Sequence, residues 1–269
     1  MKRRSFLTSS LAASALAVSA KAGSAQGAKD NSGGKGRLYF QLRRYQLTNG
    51  AQKKLCDDFF HDTFLPALNR LGITPVGVFN LAIGPETPTM YVLMPSASLD
   101  TLVNVETRLS EDAEYVKAGS AFLNAPAVAP AFQIMESSLL QAFEKIPSIA
   151  LPAATATNGP RVFELRTYES PSDQDHKRKV EMMQSGEEQI FAKAGFTQVF
   201  YGDMLVGSRM PNLTYMLSFE SIAERDKHWA AFASNPDWKS LSSQPRYAFE
   251  NIVSKITNVI LTPAPYSQI

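Results

Sequence analysis

The sequence predicts an α+β fold, with two tandem β-α-β-β-α-β units packed sheet to sheet as a barrel within one chain. Three observations carry this. First, residues 40–45 read FQLRRY and residues 163–168 read FELRTY, an offset of 163 − 40 = 123. Second, the same offset sets Gly72, Thr74 and Val76 against Gly195, Thr197 and Val199, and Tyr115 against Trp238. An offset one residue longer sets Tyr91-Val92-Leu93 against Tyr215-Met216-Leu217. A repeat period above roughly 100 residues means two domains rather than a solenoid. Third, each copy alternates strand and helix patterns in one order.

The second copy shows that order best. Residues 161–168 alternate and carry β-formers, as a strand does. Residues 173–194 place Val180, Met183, Ile190 and Phe191 on one helical face. Gly195 ends this helix, as Gly72 ends its counterpart. Residues 196–201 and 213–219 read as strands joined through turn chemistry at 207–212. A helix over 221–233 turns Ile222, Trp229 and Phe232 inward, and a β-branched strand closes the unit at 251–261. This is the ferredoxin-like split unit. The first copy follows suit, with a helix from Ala51 that Pro66 bends near Leu65. A four-stranded sheet with both helices on one face leaves the other bare, and the second unit on the same chain covers it.

The predicted divisions are a signal peptide over 1–20, a flexible leader over 21–36, a first repeat over 37–145, a linker over 146–160 and a second repeat over 161–269. The start carries Lys2, Arg3 and Arg4, then an apolar, small-residue stretch, the pattern of a twin-arginine-type export signal. Periplasmic or secreted localisation is the expectation, with no membrane anchor left after cleavage. Cleavage leaves 27 − 3 = 24 basic residues against 25 acidic ones, a net charge of −1. No basic field is available for nucleic acid or anionic lipid. Hydrophobic residues at 44% and charged ones at 19% fit a folded globular chain. Cys56 is the only cysteine, so an intramolecular disulfide is excluded, and a buried inert thiol is expected.

The repeated hexapeptide supplies the candidate site. Strand side chains alternate between faces. Phe40 and Leu42 therefore share one face, expected against the helices, and so do Phe163 and Leu165. Gln41, Arg43 and Tyr45 share the other face, with Glu164, Arg166 and Tyr168 in the second copy, and this face is assigned to the barrel interior. Two readings remain open. The polar rows form a network locking the sheets together, or they line a pocket with Arg as anion anchor and Tyr as donor. Tyr168 and His61 are the candidates for moving a proton. No HExxH, CxxC, P-loop or GxSxG pattern occurs, and no metal site is expected. His61 has no second ligand at i+3 or i+4. His176 and the Glu187-Glu188 pair are expected in solvent, and His228 in packing beside Trp229.

These residues resemble the NIPSNAP family, within the dimeric α/β-barrel superfamily. The carriers are FELRTY at 163–168, Ala194-Gly195-Phe196, the Tyr-Met-Leu strand at 215–217, and Glu224 to Trp229 with Asp237-Trp238. The resemblance implies a tandem barrel and no agreed catalytic residues. The wider superfamily includes cofactor-free monooxygenases, haem enzymes and small isomerases, so it leaves the cofactor unknown, and no motif here favours haem. The expected function is binding of a small, partly apolar molecule between the sheets. The alternatives are a monooxygenase- or isomerase-type enzyme using the same cavity, or a scaffold whose barrel is filled. Further homo-oligomerisation is compatible with either.

Overall fold

The computed structural model describes residues 36–269, and the expected signal peptide and nearly all of the expected leader lie outside them. The first half runs β1 (Tyr39–Gln46), α1 (Gly50–Phe59), a wide π turn (Phe60–Phe64), α2 (Leu65–Arg70), β2 (Gly77–Ile83), β3 (Thr89–Ser96), four short helices α3 to α6 (Leu99–Val103, Val105–Ser110, Ala113–Ala118, Ser120–Leu123) and β4 (Ile134–Ala142). The second runs β5 (Val162–Glu169), α7 (Asp173–Met182), a π turn (Met183–Glu187), α8 (Glu188–Lys193), β6 (Thr197–Val206), β7 (Asn212–Phe219), α9 (Ile222–Ser234), α10 (Pro236–Ser242), α11 (Phe249–Ile252) and β8 (Lys255–Pro263).

The eight strands close into one antiparallel barrel in the order β1-β3-β2-β8-β5-β7-β6-β4. The halves meet along strand edges, β2 on β8 and β4 on β6, and both seams carry a register shift. Such shifts bend a strand and help a sheet close.

Local devices repeat at the 123-residue offset. Asn49 and Ser172 cap α1 and α7 by accepting from the backbone N–H of Gln52 and Asp175. Ser98 and Ser221 cap α3 and α9 in the same way. Each cap contributes about 1 kcal/mol. The two π turns also coincide at this offset. In the first repeat, Pro66 follows the turn. It has no N–H to continue an α ladder. In the second, Gly186 takes φ 143° inside the turn.

Gly72 and Gly195 end the helices α2 and α8 with φ of 76° and 88°. A Cβ at residue 195 would stand 3.1 Å from His228 Nε2, whereas nothing lies within 4 Å of one at residue 72. We expect Gly72→Ala to cost about 1–2 kcal/mol, the left-handed backbone penalty. Gly195→Ala should cost more, as a larger fall in the urea midpoint. Equal costs would mean that the His228 contact is immaterial.

Apolar side chains form three clusters. One lies between the first sheet and its helices, one between the second sheet and its helices, and one inside the barrel. The barrel cluster holds Phe40, Phe79, Phe163, Leu165 and Phe200, with Leu42 packed against it. Phe40 sits 4.9 Å from Phe200, and Phe79 sits 4.8 Å from Phe163, ring centre to ring centre. This corrects the expected faces. The apolar residues of the hexapeptides fill the barrel, and the polar rows face the helices. An eight-stranded barrel is just wide enough to be filled by side chains. Buried charges need partners. The helical layers provide Glu106 for Arg43, and Arg225 and Trp229 for Glu164.

Candidate functional site: the cleft beneath the first helical layer

Arg43 lies on β1 under the first-repeat helices, 3% exposed. Its Nη1 is 2.5 Å from Glu106 Oε1, and its Nη2 donates to Gln41 Oε1 at 3.2 Å. Gln41 in turn donates to Ser137 Oγ at 2.8 Å. Arg43 Nε is buried without a partner among the described residues. The guanidinium stands 5.5 Å over the Phe64 ring, which the π turn presents. Tyr45 is buried beside it, edge-on to Phe60 at 5.0 Å and to Phe132 at 5.4 Å.

Arg43, Tyr45, Phe64, Glu106 and Phe132 border a cleft of about 360 Å³ walled further by Phe59, Phe122 and Tyr115. Burial raises the Tyr45 phenol above its usual range, against the opposing pull of Arg43. It therefore stays protonated, a hydrogen-bond donor, at neutral pH. Burial also raises Tyr115. For Arg43 itself burial works downward, but Tyr45 and Glu106 outweigh it and hold the charge.

The second repeat resolves the same row differently. Glu164 is fully buried and accepts from Arg166 Nη1 at 2.6 Å, Arg225 Nη2 at 2.7 Å, Arg225 Nε at 2.9 Å and Trp229 Nε1 at 2.8 Å. Arg166 also donates to the Tyr168 hydroxyl at 3.0 Å, and Tyr215 donates to the same oxygen at 2.9 Å. The Trp229 ring covers Arg166 at 4.4 Å and packs on Phe191 and Phe232. Trp229 stands 123 residues after Glu106. One position thus carries a half-solvated acid over Arg43 and an indole lid over Arg166.

Arg43 and Tyr45 are therefore brought together at a cleft, with Gln41 bonded to Arg43 outside its lining, and Glu164, Arg166 and Tyr168 are joined in a closed network. His61 is exposed, bonded to Asp62 at 2.7 Å, and borders neither the cleft nor the network. Two expectations of solvation are corrected. His176 is buried, with Nε2 2.6 Å from Asp203 Oδ1. Glu187 is buried 2.7 Å from Lys179 Nζ, because the π turn rolls it inward. His228 packs against Phe196 and Phe219. Cys56 is buried, and desolvation pushes its thiol up to about 12. Sequence reasoning missed Glu106, Arg225 and the π turns. Pro66 and Gly186 were the only local signals of those turns.

Among the described residues no group of three His, Cys, Asp or Glu side chains could hold a metal ion. None of the described helices is long and apolar enough to cross a membrane.

A closed antiparallel barrel built from two similar halves, each carrying an Arg-x-Tyr row beneath its helices, defines a duplicated α+β barrel protein. The NIPSNAP family model matches residues 40–144 and 163–268, and the chain belongs to the NIPSNAP family. The fold is similar to that of a candidate monooxygenase from Fusobacterium nucleatum, at 10% identity and TM-score 0.56 over 85% of this chain and 93% of that one. A candidate monooxygenase from Lactobacillus acidophilus gives 8% identity and TM-score 0.55 over 84% and 94%. A NIPSNAP-like domain protein from Burkholderia xenovorans matches at 15% identity and TM-score 0.35, over 39% of this chain and 85% of that one. No curated protein matches at a significant level.

Proposed function

We propose that the first repeat binds a small, partly apolar molecule in the cleft between β1 and its helices, with Arg43 and Tyr45 holding an anionic or strongly polar oxygen at one end. This moves the expected site from between the sheets to beneath one helical layer. The carrying observation is the contrast between Arg43 and Arg166. Arg166 lies under the Trp229 ring and bonds Glu164 and Tyr168, whereas Arg43 borders open space; the Nε of each is without a partner among the described residues. Its one acidic partner, Glu106, has a side chain 63% exposed. Glu106 can return to water, so a ligand anion can take its place on the buried Arg43. A volume of 360 Å³ with aromatic walls and few polar groups suits a compact ring system. A fluorescence titration with 2-naphthoate tests this. Saturable one-site binding supports it, and no binding at millimolar concentration counts against it.

The enzymatic alternative uses the same cleft. A guanidinium fixed beside a protonated phenol, away from water, would stabilise negative charge developing on a bound oxygen. The likeness to candidate monooxygenases is one of fold and supports this reading only that far. In the second repeat, Tyr168 sits within the network and has no such access. We read the two halves as duplicated ferredoxin-like units of which one kept its cleft and the other closed.

Export belongs to the same proposal, on the strength of Arg3-Arg4 and the apolar stretch that follows. Exchanging both for lysine should leave unprocessed chain in the cytoplasm, read by fractionation and intact mass. Undiminished processing would contradict twin-arginine export.

A further inference from the structure

The barrel is filled at one end and open at the other. Near the closed end, Phe40, Phe79, Phe163 and Phe200 pack together, and the buried Ile269 accepts through its carbonyl from Arg161 at 3.0 Å. At the other end a cavity of about 460 Å³ enters between the two halves. It is separate from the cleft at Arg43, because it lies on the opposite face of β1, where Leu42 and Arg44 point.

Its rim is built from two equivalent hairpins. Glu86 and Arg209 stand 123 residues apart, at the same place in each repeat. Both take a left-handed backbone, with φ of 64° and 58°. Both line the cavity, and they carry opposite charges. On the first-repeat side Arg44 lies between two carboxylates, bonded to Glu86 and to Glu136 at 2.5 Å. Two acids there share one guanidinium. On the second-repeat side Arg209 uses only Nη1, for Glu169 Oε1 at 2.8 Å and Thr257 Oγ1 at 3.0 Å. Its Nε and Nη2 carry no protein partner among the described residues, and its side chain is 44% exposed. Duplication built a two-fold mouth, and divergence gave it an acidic side and a basic side.

Between the two sides lies a polar band over an apolar floor. Thr167 and Thr214 share a hydrogen bond of 2.8 Å. Asn212, 1% exposed, holds the second hairpin through Nδ2, which donates to the carbonyls of Ser208 and Arg209 at 3.0 Å each. Its Oδ1 is buried and unpartnered among the described residues, although Asn212 lines the cavity. A buried acceptor left unpaired is costly, and a donor on a ligand would satisfy it. The floor is Leu165, Met204 and Val259.

We infer that this mouth is a second binding site, for a small zwitterion with an apolar side chain, of the α-amino acid class. The ammonium group goes to Glu86 and Glu136 and the carboxylate to the free edge of Arg209. The apolar side chain lies on the floor, and Asn212 Oδ1 accepts a ligand N–H. Guanidinium–carboxylate and ammonium–carboxylate contacts are the stronger class of hydrogen bond, so each end is worth about tenfold in affinity.

The test compares three probes on the purified chain by isothermal titration. L-Phenylalanine carries both charges, phenethylamine only the ammonium, and 3-phenylpropanoate only the carboxylate. L-Phenylalanine should bind about tenfold or more tighter than either single-charge probe. Glu136→Gln and Arg209→Gln change half-exposed rim side chains and should not impair folding. Glu136→Gln should weaken L-phenylalanine while sparing 3-phenylpropanoate, and Arg209→Gln should do so while sparing phenethylamine. Arg209→Glu should reverse the order and make phenethylamine the best ligand. The titrations are made in the Arg43→Met chain, so that 3-phenylpropanoate, an aromatic carboxylate like 2-naphthoate, reads the mouth and not the first-repeat cleft. Equal affinities for the three probes, no binding of any, or indifference to both rim variants would overturn the assignment.

Discussion

Replacing Glu164 by alanine should produce the largest loss of stability of any single change in the second repeat. The carboxylate accepts four hydrogen bonds, from Arg166, Arg225 and Trp229, at full burial. Removing it leaves the Arg166 guanidinium without a charged acceptor, beside the neutral Tyr168, Trp229 and Asn258 side chains. Breaking a buried pair this way costs about 3–5 kcal/mol. For a domain of this size that is a fall in Tm of about 10 °C.

The same carboxylate sets an acid limit. Burial alone would raise its pKa, but the Arg225 bonds, with Arg166 and Trp229, outweigh burial and hold it below its usual 4.5. A depressed folded value means that the unfolded chain takes up the proton first. The stabilisation is therefore complete above pH 4.5 and is lost as pH falls through the folded value. Glu164→Gln should remove this part of the acid dependence and lower stability at neutral pH. Urea midpoints between pH 3 and pH 7, on a scale of roughly these usual carboxylate values, check both. An unchanged midpoint in Glu164→Ala would mean that the network does not support the fold.

Arg43→Met should abolish binding at the first-repeat cleft. A hydrogen bond to a charged group is worth about 1.5–3 kcal/mol, and 1.4 kcal/mol is tenfold, so 2-naphthoate affinity should fall more than tenfold. Stability should change little, because Glu106 is half in solvent and can rehydrate. Arg166→Met should do the reverse. It withdraws one of the three side chains that donate to a fully buried carboxylate and leaves the first-repeat cleft untouched. The two variants differ at equivalent positions of one duplication, so the contrast is internal. Loss of 2-naphthoate binding in Arg166→Met but not in Arg43→Met would place the site in the other half.

The duplication, the strand order and the helix ends were legible because each has a local signal. Gly72 and Gly195 stop helices by backbone chemistry, and the hexapeptides repeat outright. The direction of each strand face was not legible. Alternation separates Phe163 and Leu165 from Glu164 and Arg166, but both faces are buried here, and period two does not say which faces the helices. Barrel width decides it, and width is a property of closure. Glu187 was misplaced because a π turn rotates the residues beyond it, and an adjacent Glu-Glu pair reads as a solvated face until that rotation is known. Arg43 and Tyr45 were recognised as a unit. The acid that makes their cleft differ from its twin, Glu106, was not, because nothing in the first sheet points to a residue 63 positions further on.

The most direct measurement is a crystal structure of the chain soaked with 2-naphthoate. Density in the first-repeat cleft, with the carboxylate within hydrogen-bond distance of Arg43 and Glu106 turned outward, is the predicted result. An empty cleft, or 2-naphthoate held only at the barrel mouth or beside Arg166, would contradict the account.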